Sequence, residues 1–309
     1  MRSPVRDPRP SRAPDAPLAF FDSGVGGLTV LRACLARRPL ESTLYVADQA
    51  HVPYGGRALD EIQGFARDLT GHAFAGGAKL VIMACNVSSA TYAPAAAATY
   101  GANRALGVVD PGARAAARTT RRGRIGVLAT EGTVASGAYP DALGRLDPDL
   151  AVTQVACPLF VPLVEAGRTD GPEADAAVHE ALAPLRTAGV DVAVLGCTHY
   201  PFLLPALRRA APDLLFVDPA EATAEAVDAI LAAEDGPRPA TYGPARHRWS
   251  TTGPLEVFAE QVAQVRVPGA RPVVQALSWP LEASRGPRPL HPERPLPAPA
   301  HHRDLDRTA

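Results

Sequence analysis

From Leu18 onward, short apolar runs alternate with stretches of helical periodicity. LAFFD (18–22), STLYVAD (42–48), KLVIMAC (79–85), RALGVV (104–109), RIGVLAT (124–130), DLAVTQVA (149–156), DVAVLGC (191–197) and LLFVD (214–218) read as strands. Most are continuous rather than alternating, the pattern of strands covered by helices on both faces of a parallel sheet. Between them lie amphipathic segments. RALDEIQGFARDL (57–69) starts just after Gly55-Gly56, and EADAAVHEALAPLRTAG (173–189) stops at Gly189. Strand–helix alternation over this length predicts an α/β fold.

A weak internal repeat refines that expectation. LAFFD leads into Asp22-Ser23-Gly24 and RIGVLAT into Thr130-Glu131-Gly132; at nearly equal distances downstream, strands end at Cys85-Asn86 and Cys197-Thr198. The pattern predicts two pseudo-symmetric α/β domains with mainly parallel sheets and an active site in the cleft between them, because ligands bind at the carboxyl ends of such strands. Residues 1–17 and 284–309 are rich in Pro and Arg without periodicity, and are expected to be disordered tails.

Composition narrows the function classes. A formal charge of −1 gives no global attraction to nucleic acid or anionic membrane. The N-terminal segment lacks an apolar run and nothing reaches bilayer length, so a soluble, cytoplasmic protein is expected. The four cysteines, Cys34, Cys85, Cys157 and Cys197, are widely spaced without a C-x-x-C pair, which argues against zinc. In a reducing cytosol they are not expected to pair as disulfides. Lys79 is the only lysine, and it opens a strand, where it is expected at the solvent end. Pyridoxal-phosphate chemistry needs a lysine for its Schiff base, so no cofactor is expected.

Two cysteines at mirrored strand ends suit one reaction closely. Inverting an amino acid requires removal of the α-proton from one face and return of a proton to the other. Cysteine can do both if a helix N-terminus steadies its thiolate. Cys85 precedes the helical segment VSSATYAPAAAA, and Cys197 precedes HYPFLLPALRRA. Asp22, with Ser23 beside it, and His199 stand close enough in sequence to assist. Read alone, Asp22 suits a turn cap and His199 a loop histidine; the joint pattern points to chemistry.

At these residues the chain resembles the glutamate racemases of the aspartate/glutamate racemase superfamily. FDSGVGGLTV (21–30), ADQAHVPYG (47–55), ACN (84–86), GVVDPGARAA (107–116), ATEGTVASGAY (129–139), ACPLFVPLVEAG (156–167) and GCTHYPFL (196–203) stand in that family's order. The resemblance implies interconversion of L- and D-glutamate for peptidoglycan, with Cys85 and Cys197 as the proton donor/acceptor pair. It implies that Asp22 assists Cys85, while His199 and Glu165 support Cys197. It matches Asp22, Ser23, Tyr54, Gly55, Asn86, Thr198 and His199 to substrate-binding positions, with Thr130 and Thr133 near the α-carboxylate. It also implies a pseudo-two-fold pair of domains with the last helices returning to the first, 18–108 plus 219–283 and then 109–218; the partner is a small amino acid, and a homodimer is one assembly the family allows. One residue departs: the family pattern A-C-N-T reads A-C-N-V here, so Val87 keeps a substrate-binding backbone N–H but lacks a hydroxyl. A lost hydrogen bond weakens affinity by up to about tenfold. Ser88 leaves the helix at a different angle and is not expected to replace it.

Rival readings are an aspartate racemase of the same superfamily, a thiol hydrolase with one nucleophilic cysteine, and a two-lobed binding protein. The hydrolase needs no mirrored second cysteine. A dinucleotide enzyme lacks its fingerprint, since Gly24-Val25-Gly26-Gly27 does not supply G-x-G-x-x-G.

Overall fold

The computed structural model describes residues 10–234 and 236–281. The first part of the chain runs β1 (Leu18–Asp22), α1 (Leu28–Arg37), β2 (Thr43–Ala47), α2 (Leu59–Ala75), β3 (Leu80–Met83), α3 (Asn86–Tyr100) and β4 (Ala105–Gly107). Next come α4 (Val109–Thr119), β5 (Arg124–Ala129), α5 (Glu131–Ala135), α6 (Ala138–Leu146), β6 (Ala151–Ala156), α7 (Phe160–Glu165), α8 (Pro172–Thr187) and β7 (Val192–Gly196). A 3₁₀ turn (Tyr200–Leu203) precedes α9 (Leu204–Ala210), β8 (Leu215–Val217), α10 (Pro219–Ala233), β9 (His247–Thr251), α11 (Leu255–Val265) and β10 (Val273–Ala276).

These strands form two parallel sheets. One has the order β10-β9-β2-β1-β3-β4 and the other β6-β5-β7-β8. The run β2-β1-β3-β4 matches β6-β5-β7-β8 strand for strand, so the repeat read from the sequence is a repeat of topology. Helices cover both faces of each sheet. In β1, Leu18 and Phe20 face one apolar cluster while Ala19 and Phe21 face another, the side-to-side alternation of a strand buried on both faces. In the second sheet, Leu128 and Leu195 face one side, and Ile125, Val127 and Val194 the other.

All eight expected strands are present, each trimmed by up to three residues in total. Val109, expected in a strand, begins α4. Two strands were not expected. β9 and β10 carry the chain back to the first sheet, and β9 buries polar side chains by pairing them. His247 Nδ1 lies 2.9 Å from Thr43 Oγ1, which also accepts from Trp249 Nε1 at 3.0 Å.

Three expectations need correction. The start of the chain is not wholly a free tail. From Pro10 it has no helix or strand before β1, but Ser11 N–H donates to the Ala78 carbonyl at 3.0 Å and Ala16 is buried. Residues 1–9 and the expected tail 284–309 lie outside the described residues. Lys79 is not at a solvent end. It is fully buried, pairs with Glu41 at 2.8 Å and donates to the Pro14 carbonyl at 2.8 Å. The pair neutralises both charges, which burial demands, and anchors the N-terminal segment to the base of β3. Finally, HYPFLLPALRRA is not one helix. Pro201 and Pro205 lack the N–H groups that a continuous α-helix would use, and a 3₁₀ turn precedes α9. Among the described residues, no helix is long and apolar enough to cross a membrane.

Candidate active site

The carboxyl ends of both sheets line a cavity of about 390 Å³, a suitable size for a small ligand. Every sequence-predicted site residue except Asp22 lines it: Cys85, Cys197, His199, Glu165, Ser23, Tyr54, Gly55, Asn86, Val87, Thr130, Thr133 and Thr198. Topology explains the convergence. β3 and β7 are equivalent central strands, and Cys85 lies two residues past the end of β3 while Cys197 lies one past β7, so both fall at the carboxyl ends of their sheets.

Asp22 is fully buried and lies just behind the residues that line the cavity. Its Oδ2 accepts from the Gly27 and Gly24 N–H groups at 2.9 and 3.3 Å, and from Thr198 Oγ1 at 3.5 Å. Its Oδ1 is buried without a hydrogen-bond partner among the described residues. A buried oxygen left unpaired is costly unless it has work to do. Its neighbour in charge is Cys85. Burial pushes that thiol up to about 12, and the Asp22 carboxylate adds to the shift. Cys85 caps α3 with extended backbone geometry, and the Ser88 N–H partly opposes the shift by favouring the negative sulfur. Ser88 is fully buried, and its hydroxyl has no hydrogen-bond partner among the described residues. Val87 itself joins an apolar cluster with Tyr54, Ile62 and Cys85.

The second cysteine has different company. Cys197 Sγ lies 3.7 Å from His199 Nδ1, and His199 Nε2 lies 3.5 Å from Glu165 Oε1. Burial works against a charged His199, but the bonds to Cys197 and Glu165 outweigh it and push its pKa up to about 10. An imidazolium therefore stands beside Cys197 at neutral pH, whereas a carboxylate stands behind Cys85.

Close approaches fit the two halves together around the cavity. A Cβ at Gly26 would fall 2.4 Å from Thr198 Oγ1, so only glycine permits this approach of the first loop to the second half. Gly132 N–H donates to the Gly55 carbonyl at 3.1 Å. Tyr139 on α6 donates to Asn86 Oδ1 at 2.7 Å, with both residues buried. Thr130 caps α5, its Oγ1 accepting from Thr133 N–H and lying 3.1 Å from Thr133 Oγ1.

Sequence reasoning missed Cys157, Glu131 and the Pro158–Pro162 wall, which also line the cavity. Cys157 is pushed up to about 12 by burial and its thiol donates to the Val155 carbonyl at 3.5 Å. Its signal was present in ACPLFVPLVEAG, but no mirrored partner marked it. All four cysteines are unpaired, and Cys34 is core filling beneath α1. Among the described residues, no lysine or arginine lines the cavity, and the single lysine is held by Glu41 at the opposite end of β3. Among the described residues, no group of three His, Cys, Asp or Glu side chains could hold a metal ion.

Comparison with known proteins agrees with this arrangement. Residues 28–227 match the family described as Asp/Glu/Hydantoin racemase. The chain is 40% identical over 292 residues to a glutamate racemase of Beutenbergia cavernae, covering 91% of this chain and 99% of that one. The fold is similar to a glutamate racemase isoform of Bacillus anthracis, with a TM-score of 0.78 and 32% identity over 87% of this chain and 100% of that one. A Francisella tularensis glutamate racemase solved with D-glutamate gives a TM-score of 0.76 and 25% identity, covering 87% of this chain and 98% of that one.

Proposed function

This chain belongs to the family of Asp/Glu/hydantoin racemases, and we propose that it interconverts L- and D-glutamate by a two-cysteine proton transfer that uses no cofactor. One observation carries the proposal: Cys85 and Cys197 follow equivalent strands of two repeated sheets and line one cavity. The identity of its relatives as glutamate racemases supports the substrate.

In the reaction, one sulfur starts as thiolate and removes the α-proton. The opposed thiol then gives its proton to the other face of the resulting carbanion. The product has inverted, and the two cysteines have exchanged roles. Neutral Cys85 is the donor that its surroundings favour; the His199 imidazolium offsets negative charge on Cys197. Asp22 acts through Cys85 as a positioning residue, and Glu165 through His199. These two halves correspond to residues 18–108 with 219–283, and 109–218.

Substrate carboxylates meet hydroxyls and amides rather than lysine or arginine side chains, none of which lines the cavity among the described residues. Ser23, Asn86 and the Thr130–Thr133 pair supply side-chain donors beside Thr198, whose hydroxyl donates to Asp22, and the first turn of α3 supplies backbone N–H groups. Tyr54 and Gly55 form the adjoining wall. In the cell, this activity would supply D-glutamate for peptidoglycan in the cytoplasm.

Circular dichroism of the purified chain with either enantiomer of glutamate, without added cofactor or metal, tests the reading. The signal should decay to zero from both directions. Decay with aspartate alone would move the assignment to the sister activity, and no decay with either acid would exclude racemisation.

A further inference from the structure

We propose that Tyr139 is a positioning residue that ties the two halves together by holding the Asn86 amide in its substrate-binding orientation. The inference rests on the glutamate racemase reading above and names a residue that reading does not use.

The hydroxyl of Tyr139 and Oδ1 of Asn86 are 2.7 Å apart, the usual length for an O–H···O bond. Tyr139 is fully buried and its hydroxyl makes no other hydrogen bond among the described residues. If it accepted from the Asn86 NH₂ instead, its own proton would be left buried and unpaired, at a penalty. Donation to Oδ1 is therefore the paired arrangement. Burial raises the phenol above its ordinary value, which keeps the donated proton on oxygen.

With Oδ1 occupied, the Asn86 NH₂ has no hydrogen-bond partner among the described residues and belongs to a side chain that lines the cavity. It is a donor left for substrate oxygen. Tyr139 also touches the other cysteine's strand. A Cβ on Gly196, immediately before Cys197, would lie 3.3 Å from Tyr139 Cε2. One side chain thus spans the residue after Cys85 and the residue before Cys197, and it does so from the second half into the first.

Tyr139→Phe removes the bond and keeps the ring. KM for glutamate should rise about three- to tenfold while kcat changes less than threefold, because Asn86 binds ground and transition states alike. Asn86→Ala should raise KM at least as much, and the double variant should resemble Asn86→Ala alone. Multiplying KM effects in the double variant, or an unchanged KM in Tyr139→Phe, would overturn the proposal.

A second readout needs no substrate. The chain has two asparagines, Asn86 and Asn103, so ¹⁵N-asparagine labelling gives two side-chain amide pairs, assigned by their loss in Asn86→Ala. The Asn86 pair should shift and broaden in Tyr139→Phe. An Asn86 pair identical to wild type would overturn the latch whatever the substrate is. Wild-type protein inert toward glutamate contradicts the functional reading, and the amide signals then decide the latch on their own.

Discussion

The two halves of the cavity share a scaffold and differ in charge. In the first, a buried carboxylate ends β1 and stands behind Cys85; at the equivalent end of β5 the chain has Thr130, and Cys197 is served instead by His199 and Glu165. Burial and Asp22 keep a proton on Cys85, whereas a cation lies beside Cys197. A perfectly symmetric pair could share one proton, but its two sulfurs would be interchangeable; unlike neighbours bias which sulfur carries it. The repeated topology brings two sulfurs to one cavity, and burial and Asp22 bias the proton toward Cys85.

The most severe way to break the comparison is to remove either sulfur. Cys85→Ala and Cys197→Ala should each lower racemisation by at least about 10²–10⁴-fold, the range of a general acid–base group, as followed by circular dichroism. Full turnover in either variant would refute the two-base assignment.

Changing the neighbours sharpens it. Asp22→Asn and His199→Asn should each cost about 10²-fold. Enantiomers have equal free energy, so kcat/KM must fall equally in both directions. The difference should appear in isotope effects. The antipode with the larger α-deuterium effect should switch between the two variants, and a common pattern in both would mean that Asp22 and His199 do not serve separate cysteines.

A third test uses pH. His199 is raised from an ordinary value of 6.5 to about 10 in the folded protein. Its contribution to stability is therefore complete below about pH 6.5 and is lost as pH rises through about 10. In wild type, kcat/KM should decline as pH rises through about 10, and the stability curve should slope down over the same window. His199→Asn should flatten that slope in thermal melts; an unchanged curve would remove the charged imidazole from the account.

Two smaller effects follow. Glu165 is half-exposed and 3.5 Å from His199, so Glu165→Gln should cost only about two- to fivefold and move the alkaline limb of the pH profile to lower pH. Val87→Thr should tighten glutamate binding by up to about tenfold if the added hydroxyl reaches substrate, as read from KM.

Much of this was legible in the sequence for a physical reason. Strands buried on both faces, such as LAFFD and KLVIMAC, carry continuous apolar runs, and the two cysteines end such runs at nearly equal spacing. What was hidden depended on pairing across the fold. HRWST of β9 looks polar until Thr43 is placed against His247 and Trp249. Lys79 looked like a solvent-end residue because Glu41, its buried partner, is distant in sequence. The helix expected after Cys197 missed the effect of two prolines.

Incubation of protiated L-glutamate with the chain in D₂O, analysed over the first few per cent of conversion, tests opposed cysteines most directly. Two separate bases predict that newly formed D-glutamate carries solvent deuterium at the α-carbon while unreacted L-glutamate remains protiated. D-glutamate that retains the substrate's own α-proton would mean a single base serves both faces, and would contradict the account.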